Sequence, residues 1–427
     1  MRGPRRIAML VFGALRFGMR TALLAAAVLP AAAATLPQDV YVWQRVWTPA
    51  LRRSIADNAA VFAQWDVLVA ELSLEKGAPR TVFTDPDWPV LRTAGGGIAV
   101  VVRASSSPLY DGAAGASAAD GLVDLCALAL GRARAAGVEP AALQLDLDAA
   151  TGRLGAYRLL LRRIRGRVGA LPIVITALPD WLRSPAFAPL AREAGSFVLQ
   201  VHSLDRPESR DRPFALCDPD RAEAWVRQAS LIGIPFRVAL PTYGYRVAYG
   251  ADGRFLGLQA EGAPPAWPAG SSVRTVMADP GQVARLVREL SAAPPKGCSG
   301  LIWFRMPSGD DRLAWRAQTL RRVMRGEVPR GRLVWAEGGP TNGLLDLALV
   351  NEGDAQVPVA AATLTWQGAD LVAADGIAGW RVGRTQPGSV TLVPPDGDDS
   401  LIFPGERREI GWMRLGGPAH ISPETSR

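Results

Sequence analysis

Eight apolar runs recur along the chain, at 40–43, 65–72, 97–102, 143–148, 173–178, 197–202, 236–241 and 301–304. Each has the length of a strand. Between them apolar residues fall at helical spacing, as at 49–63, 122–136, 218–232 and 280–292. After the fourth run, Leu154, Tyr157, Leu160, Leu161, Ile164 and Val168 form one stripe, with Arg158, Arg162, Arg163 and Arg165 on the opposite side. Strands alternating with amphipathic helices predict an α/β fold, a (β/α)8 TIM barrel over residues 35–330. A doubly wound open sheet is the alternative, but no Gly-x-Gly-x-x-Gly opens a helix after the first strand.

From about Arg330 the pattern changes to short alternating runs at 333–335, 344–350, 362–366, 390–393 and 408–412, punctuated by Asn351-Glu352-Gly353-Asp354 and Pro394-Pro395-Asp396-Gly397. This predicts a small all-β immunoglobulin-like sandwich at 331–417, followed by a disordered tail at 418–427. At the other end, arginines at 2, 5, 6, 16 and 20 precede an apolar run at 21–30 and then Ala31-Ala32-Ala33-Ala34. A basic segment, a short apolar run and an Ala-x-Ala site predict a secretory signal peptide at 1–34. The apolar run is too short to span a bilayer comfortably, so a periplasmic or secreted protein with no membrane span after leader removal is expected.

The formal net charge is +8, and the leader holds five arginines and no carboxylate, which leaves +3 for the rest. Basicity is therefore no argument for nucleic acid. Cys126, Cys217 and Cys298 lie far apart without a Cys-x-x-Cys, so neither a zinc site nor a disulfide pairing is readable. Two histidines, no Gly-x-Ser-x-Gly and no Walker loop leave a site expected to need no metal and no cofactor. Oligomeric state is not readable.

The fourth run is where chemistry enters. In Leu143-Gln144-Leu145-Asp146-Leu147-Asp148 the leucines point one way and Gln144, Asp146 and Asp148 the other. A solvated edge strand would show the same alternation. In a covered parallel strand, however, an ionised carboxylate costs several kcal/mol unless paired or hydrogen-bonded, so the acidic pair predicts a polar cavity. The carboxyl ends of barrel strands carry the functional loops. Alongside Asp146 and Asp148, that end would collect Trp43 from strand one, Glu71 from strand two and Gln200 and His202 from strand six. Tyr243 and Tyr245 would come from strand seven, and Trp303 and Arg305 from strand eight. Aromatic faces among hydrogen-bonding groups suit sugar rings, so a polysaccharide or glycan is the expected partner. Trp65 and Trp315 read as core.

These residues resemble the chitinase-like barrels of glycoside hydrolase family 18, and more closely an uncharacterised bacterial family, domain of unknown function 3142. The family 18 strand-four motif Asp-x-x-Asp-x-Asp-x-Glu lays its Asp-x-Asp on Asp146 and Asp148, and the strand-seven Pro-x-Tyr-Gly lies on Pro241, Tyr243 and Gly244. The strand-eight end resembles Ser299-Gly300 through Gly309-Asp310-Asp311; in strict register its Trp falls on Phe304, one residue after Trp303. The resemblance covers about residues 38–327. It departs where the chemistry is most demanding: the first motif Asp is Leu143, and the Glu that protonates the leaving oxygen is Ala150. The strand-six Met-x-Tyr-Asp is replaced around Gln200, His202 and Ser203, so the acetamido-assisted mechanism does not transfer.

Two functions follow. In the first, an exported glycoside hydrolase-like protein acts on a glycan with Asp148 and Glu71 as working pair, Asp146 orienting Asp148 or raising its pKa. Carboxyls ~5–5.5 Å apart give retention and ~6.5–9.5 Å inversion. In the second, the barrel binds a glycan or a protein without cleaving it.

Overall fold

The structure is a computed structural model that describes residues 36–75, 78–105, 112–260, 265–336, 343–395 and 400–422. The leader at 1–34 lies outside them. Eight parallel strands are present: β1 Gln38–Val42, β2 Gln64–Glu75, β3 Gly97–Ala104, β4 Ala142–Leu147, β5 Ile173–Ala177, β6 Gly195–Gln200, β7 Phe236–Pro241 and β8 Cys298–Phe304. Each pairs with the next, and β1 pairs both β2 (Val40 with Trp65) and β8 (Gln38 with Leu301). The sheet is therefore a closed barrel, which excludes the doubly wound alternative.

Helices alternate with the strands, and several carry their start signals in sequence. Helix α1, Pro49–Asp57, is capped by the Thr48 hydroxyl, which accepts from Leu51 N–H. The helices Pro219–Ser230 and Pro280–Ala292 each begin with an Asp cap followed by Pro at the first position, where the missing N–H costs nothing. The helix Leu154–Val168 buries Leu154, Tyr157, Leu160, Leu161 and Ile164, the predicted stripe.

Strand parity divides the barrel into two apolar layers. Leu143, Leu145, Leu147, Trp65, Trp303 and Trp315 belong to the layer between strands and helices, while Tyr41, Leu68, Val101, Val174, Val198, Ala239 and Ile302 fill the interior. At the amino-terminal end the interior is charged. Arg237 Nη1 donates to Asp39 (2.5 Å) and to Asp66 (3.4 Å), and Gln64 Nε2 donates to Asp66 (3.1 Å). Asp66 is wholly buried, and burial raises its pKa against the opposing pull of Arg237. Asp39 is pushed up to about 6, first by burial and partly by Asp66, with Arg237 opposing.

Two additions were not legible as strands. Ala78–Phe83 pairs antiparallel with β2, and after β7 the strands Gly244–Tyr249, Phe255–Gln259 and Ser272–Met277 form a small antiparallel sheet. The second of these folds over the barrel's carboxyl end.

Beyond the barrel, two four-stranded antiparallel sheets share one core that includes Trp335, Leu347, Leu364, Trp366, Leu392 and Met413. Among the described residues neither sheet hydrogen-bonds to a barrel strand. A strand was expected in each of five stretches and is present in each, but Leu371–Gly376 and Arg381–Gln386 were missed, being mostly polar or small. The expectation of a disordered tail fails for His420–Ile421, which pair with Gln367 and Trp366. The rest of that stretch, 423–427, lies outside the described residues.

Candidate functional site at the barrel mouth

A cavity of about 390 Å³ opens at the carboxyl ends of the strands. Eight of the eleven residues expected at the site line it: Trp43, Asp146, Asp148, Gln200, His202, Tyr243, Tyr245 and Arg305. Three do not, each for a physical reason. Trp303 is wholly buried on the helix-facing side, where its indole donates to Gln38 Oε1 (2.7 Å). Phe304 takes the cavity position instead. Gln144 lies below the floor, wholly buried, and its amide donates to Tyr41 Oη and to Thr176 Oγ1 (3.2 Å). Glu71 stands on the rim in a two-pronged ion pair with Arg45, Nε to Oε1 at 2.6 Å and Nη2 to Oε2 at 2.8 Å. Both its oxygens are taken, so its expected role as an acid facing the cavity is not supported.

Asp146 and Asp148 sit in contrasting surroundings. Asp146 is 9% exposed, with Arg103 Nε 3.6 Å away and a hydrogen bond from the Thr176 side chain. Burial pushes its pKa up to about 6, helped by the charge of Asp148 and opposed by Arg103 and Thr176. The carboxyl whose pKa burial raises is thus the one expected to be the helper. Asp148, just past β4, is exposed. The chain beyond it is fixed by the Trp181 indole, which donates to Ala149 O (2.9 Å).

The opposite wall is aromatic. Trp43, Phe304 and Tyr41 meet edge to face with centroids 5.0–5.6 Å apart, and the His202 ring stacks on Phe304 at 5.4 Å. Burial lowers the His202 pKa to about 3, so this imidazole is neutral at physiological pH and can accept or donate one hydrogen bond without carrying charge. A chain of hydroxyls runs beside it: Tyr243 Oη lies 3.4 Å from His202 Nδ1 and 3.1 Å from Tyr245 Oη, which is 2.5 Å from Ser203 Oγ. Burial first, then Tyr245, raises the Tyr243 pKa. Ser203 has φ of 55°, a left-handed conformation uncommon for residues with a side chain, held by its N–H to Leu216 O (2.7 Å).

Around the cavity, sequence reasoning missed Arg103, Thr176, Ser203 and Leu258, as well as Tyr41, Ala239 and Ala260. Arg103 and Thr176 obey the same alternation as Asp146, one strand to either side, and that parity could have found them. Leu258 arrives on the antiparallel sheet after β7. A second lobe of about 670 Å³ lies alongside and shares Arg45, Ala260 and Arg305 with the first. Among the described residues no group of three or more His, Cys, Asp or Glu is placed to hold a metal ion.

The strand-four acids, the strand-seven tyrosine and the strand-eight aromatic converge on one cavity, in the order that the family resemblance requires. The model of the family described as Domain of unknown function (DUF3142) matches residues 111–309. The DUF3142 match begins just before the helix Gly112–Ala135 and includes β4 to β8, hence every expected site residue except Trp43 and Glu71. No curated protein matches the sequence. Among solved structures, the spore cortex-lytic enzyme SleL of Bacillus cereus is similar at 10% identity, covering 69% of this chain and 75% of that one, with a TM-score of 0.46. A chitinase from Chromobacterium violaceum ATCC 12472 is similar at 15% identity, covering 68% and 99%, with a TM-score of 0.48. A glycoside hydrolase family 18 N-acetylglucosaminidase from Paenibacillus barengoltzii follows at 11% identity, covering 68% and 98%, with a TM-score of 0.44.

Proposed function

We propose that this DUF3142 protein is an exported glycoside hydrolase-like protein that binds a polysaccharide or glycan at the barrel mouth and acts on it with Asp146 and Asp148. The observation that carries this reading is the pair of unlike carboxyls in one cavity, faced by Trp43, Phe304 and Tyr243. Glycoside cleavage requires one carboxyl that keeps a proton near neutral pH and one carboxylate that meets developing positive charge or activates water. Asp146, with its pKa near 6, supports the first role, delivering its proton to the leaving oxygen. Exposed Asp148 supports the second. Tyr243, Tyr245 and Ser203 supply hydroxyls to orient the sugar, and neutral His202 adds a ring face. The leader-like segment at 1–34 supports a periplasmic or secreted location.

A second reading, a barrel that binds glycans without cleaving them, is favoured by Ala150 in place of the family acid and by the Arg45 fork on Glu71. Asp148→Asn separates the two. As a hydrolase the variant loses turnover by roughly 10²–10⁴-fold, while affinity changes little because an amide still bonds hydroxyls. Glycan binding by wild type with no new reducing ends, whatever the state of position 148, assigns the binder. A Glu71→Gln variant losing as much turnover as Asp148→Asn would restore Glu71 to the working pair.

A further inference from the structure

The outer face of the sheet formed by Leu333–Trp335, Leu344–Asn351, Arg407–Leu415 and Leu371–Gly376 carries an aromatic residue that the core does not use. On Arg407–Leu415, Ile410, Met413 and Leu415 enter the core, whereas Trp412 and Arg414 lie on the opposite side. Register sets Asp346 on one side of Trp412 and Asp375 on the other, both exposed. Trp412, Asp346, Arg414, Leu344 and Ala373 line one concave patch. Among the described residues neither Asp346 nor Arg414 has an ion-pair partner. Asp375 uses one oxygen to accept from Gly376 N–H (2.8 Å). Outward positions of an antiparallel sheet are normally polar, so a half-exposed indole between two carboxylates points to a ligand.

We propose that this face is a second glycan site, independent of the barrel mouth. The Trp412 indole stacks on the CH face of a sugar ring, Asp346 and Asp375 accept from its hydroxyls, and Arg414 donates to a ring or hydroxyl oxygen. One aromatic face bordered by acceptors in register matches the alternating apolar and donor surface of a sugar.

The test mixes the mature protein with insoluble chitin, cellulose and purified peptidoglycan, and measures the unbound fraction against polysaccharide load. Wild type is expected to be retained by at least one of the three. Trp412→Ala should bind that polysaccharide about tenfold more weakly, and Trp412→Phe should recover most of the loss. Melting temperature should stay within about 2 °C of wild type, since the side chain is outside the core. Retention of Trp412→Ala equal to wild type, or no retention of wild type on any of the three, overturns the proposal. So does a fall in molecular mass of Trp412→Ala on size-exclusion chromatography, which would make the face a contact between copies. Turnover of Asp148→Asn, read as released reducing ends, probes the mouth separately, so either site can fail alone.

Discussion

Asp146 carries the clearest consequence at the scale of single residues. Its pKa is raised from the ordinary carboxyl range to about 6, so the folded state binds its proton more tightly than the unfolded chain. Stability from this group is therefore greatest at acid pH and declines as pH rises through the window from about 4 to 6. The burden above that window is on the order of 2–3 kcal/mol. Asp146→Asn should raise the melting temperature at pH 7.5 and raise it much less at pH 4, which thermal denaturation across pH would reveal. An equal effect at both pH values would show that burial does not act on this carboxyl.

Residue placement was legible where polar side chains disclosed parity. In β4, glutamine and aspartate alternate with leucine, so the inward face could be read directly. In β8 the run Leu301-Ile302-Trp303-Phe304 is apolar on both faces, and nothing in it says whether Trp303 or Phe304 turns inward. Glu71 was misplaced for another reason: it shares the inward row of Arg103 and Asp146, but Arg45, 26 residues earlier, takes both its oxygens at the rim, a pairing that no local pattern discloses.

At the scale of elements, the eight strands were legible because apolar runs of strand length alternate with helical stretches, several of them marked by caps such as Thr48, Asp218 and Asp279. The antiparallel sheet after β7 was not, since Phe255–Gln259 carries Gly257 and exposed Leu256 and Leu258. Such a strand is stabilised by pairing with Gly244–Tyr249 and not by its own pattern. The buried charges among β1, β2 and β7 were equally hidden, because Asp39, Asp66 and Arg237 are far apart in sequence. Removing the shared cation strands two carboxylates, so Arg237→Leu should cost about 3–5 kcal/mol at pH 7. Lowering the pH toward 5 should return part of that loss, since both carboxyls already have raised pKa values. Chemical denaturation at the two pH values measures it; a loss under 1 kcal/mol would make the cluster dispensable.

For the whole molecule, the change of texture at Arg330 was legible, but the way the two regions meet was not. The turn after Leu344–Asn351 rests on the last barrel helix, Ala317–Met324. The Thr319 hydroxyl donates to Asp354 O (2.7 Å), and Arg322 pairs with the Asp354 carboxylate at 2.6 Å. Asn351 is wholly buried and holds this turn: its amide donates to Ala355 O (2.8 Å) and Ile402 O (2.9 Å) and accepts from Gly353 N–H (2.9 Å). Asn351→Ala should cost roughly 2–4 kcal/mol by leaving these buried groups unpaired. Calorimetry should then show the C-terminal sheets melting before the barrel, where wild type is expected to melt in one transition. A single unshifted transition in the variant would deny the turn that role.

The charged cluster at the amino-terminal end of the barrel also ties its first strands to one of its last. Asp39 and Asp66 belong to the first two strands, whereas their only shared cation among the described residues, Arg237, belongs to the seventh. A chain synthesised from its amino terminus presents both acids long before the base. In a fragment ending after β4 both carboxylates would lack this counter-charge. The counter-charge for the first two strands therefore comes with the seventh, which pairs with β8 beside the point where the barrel closes.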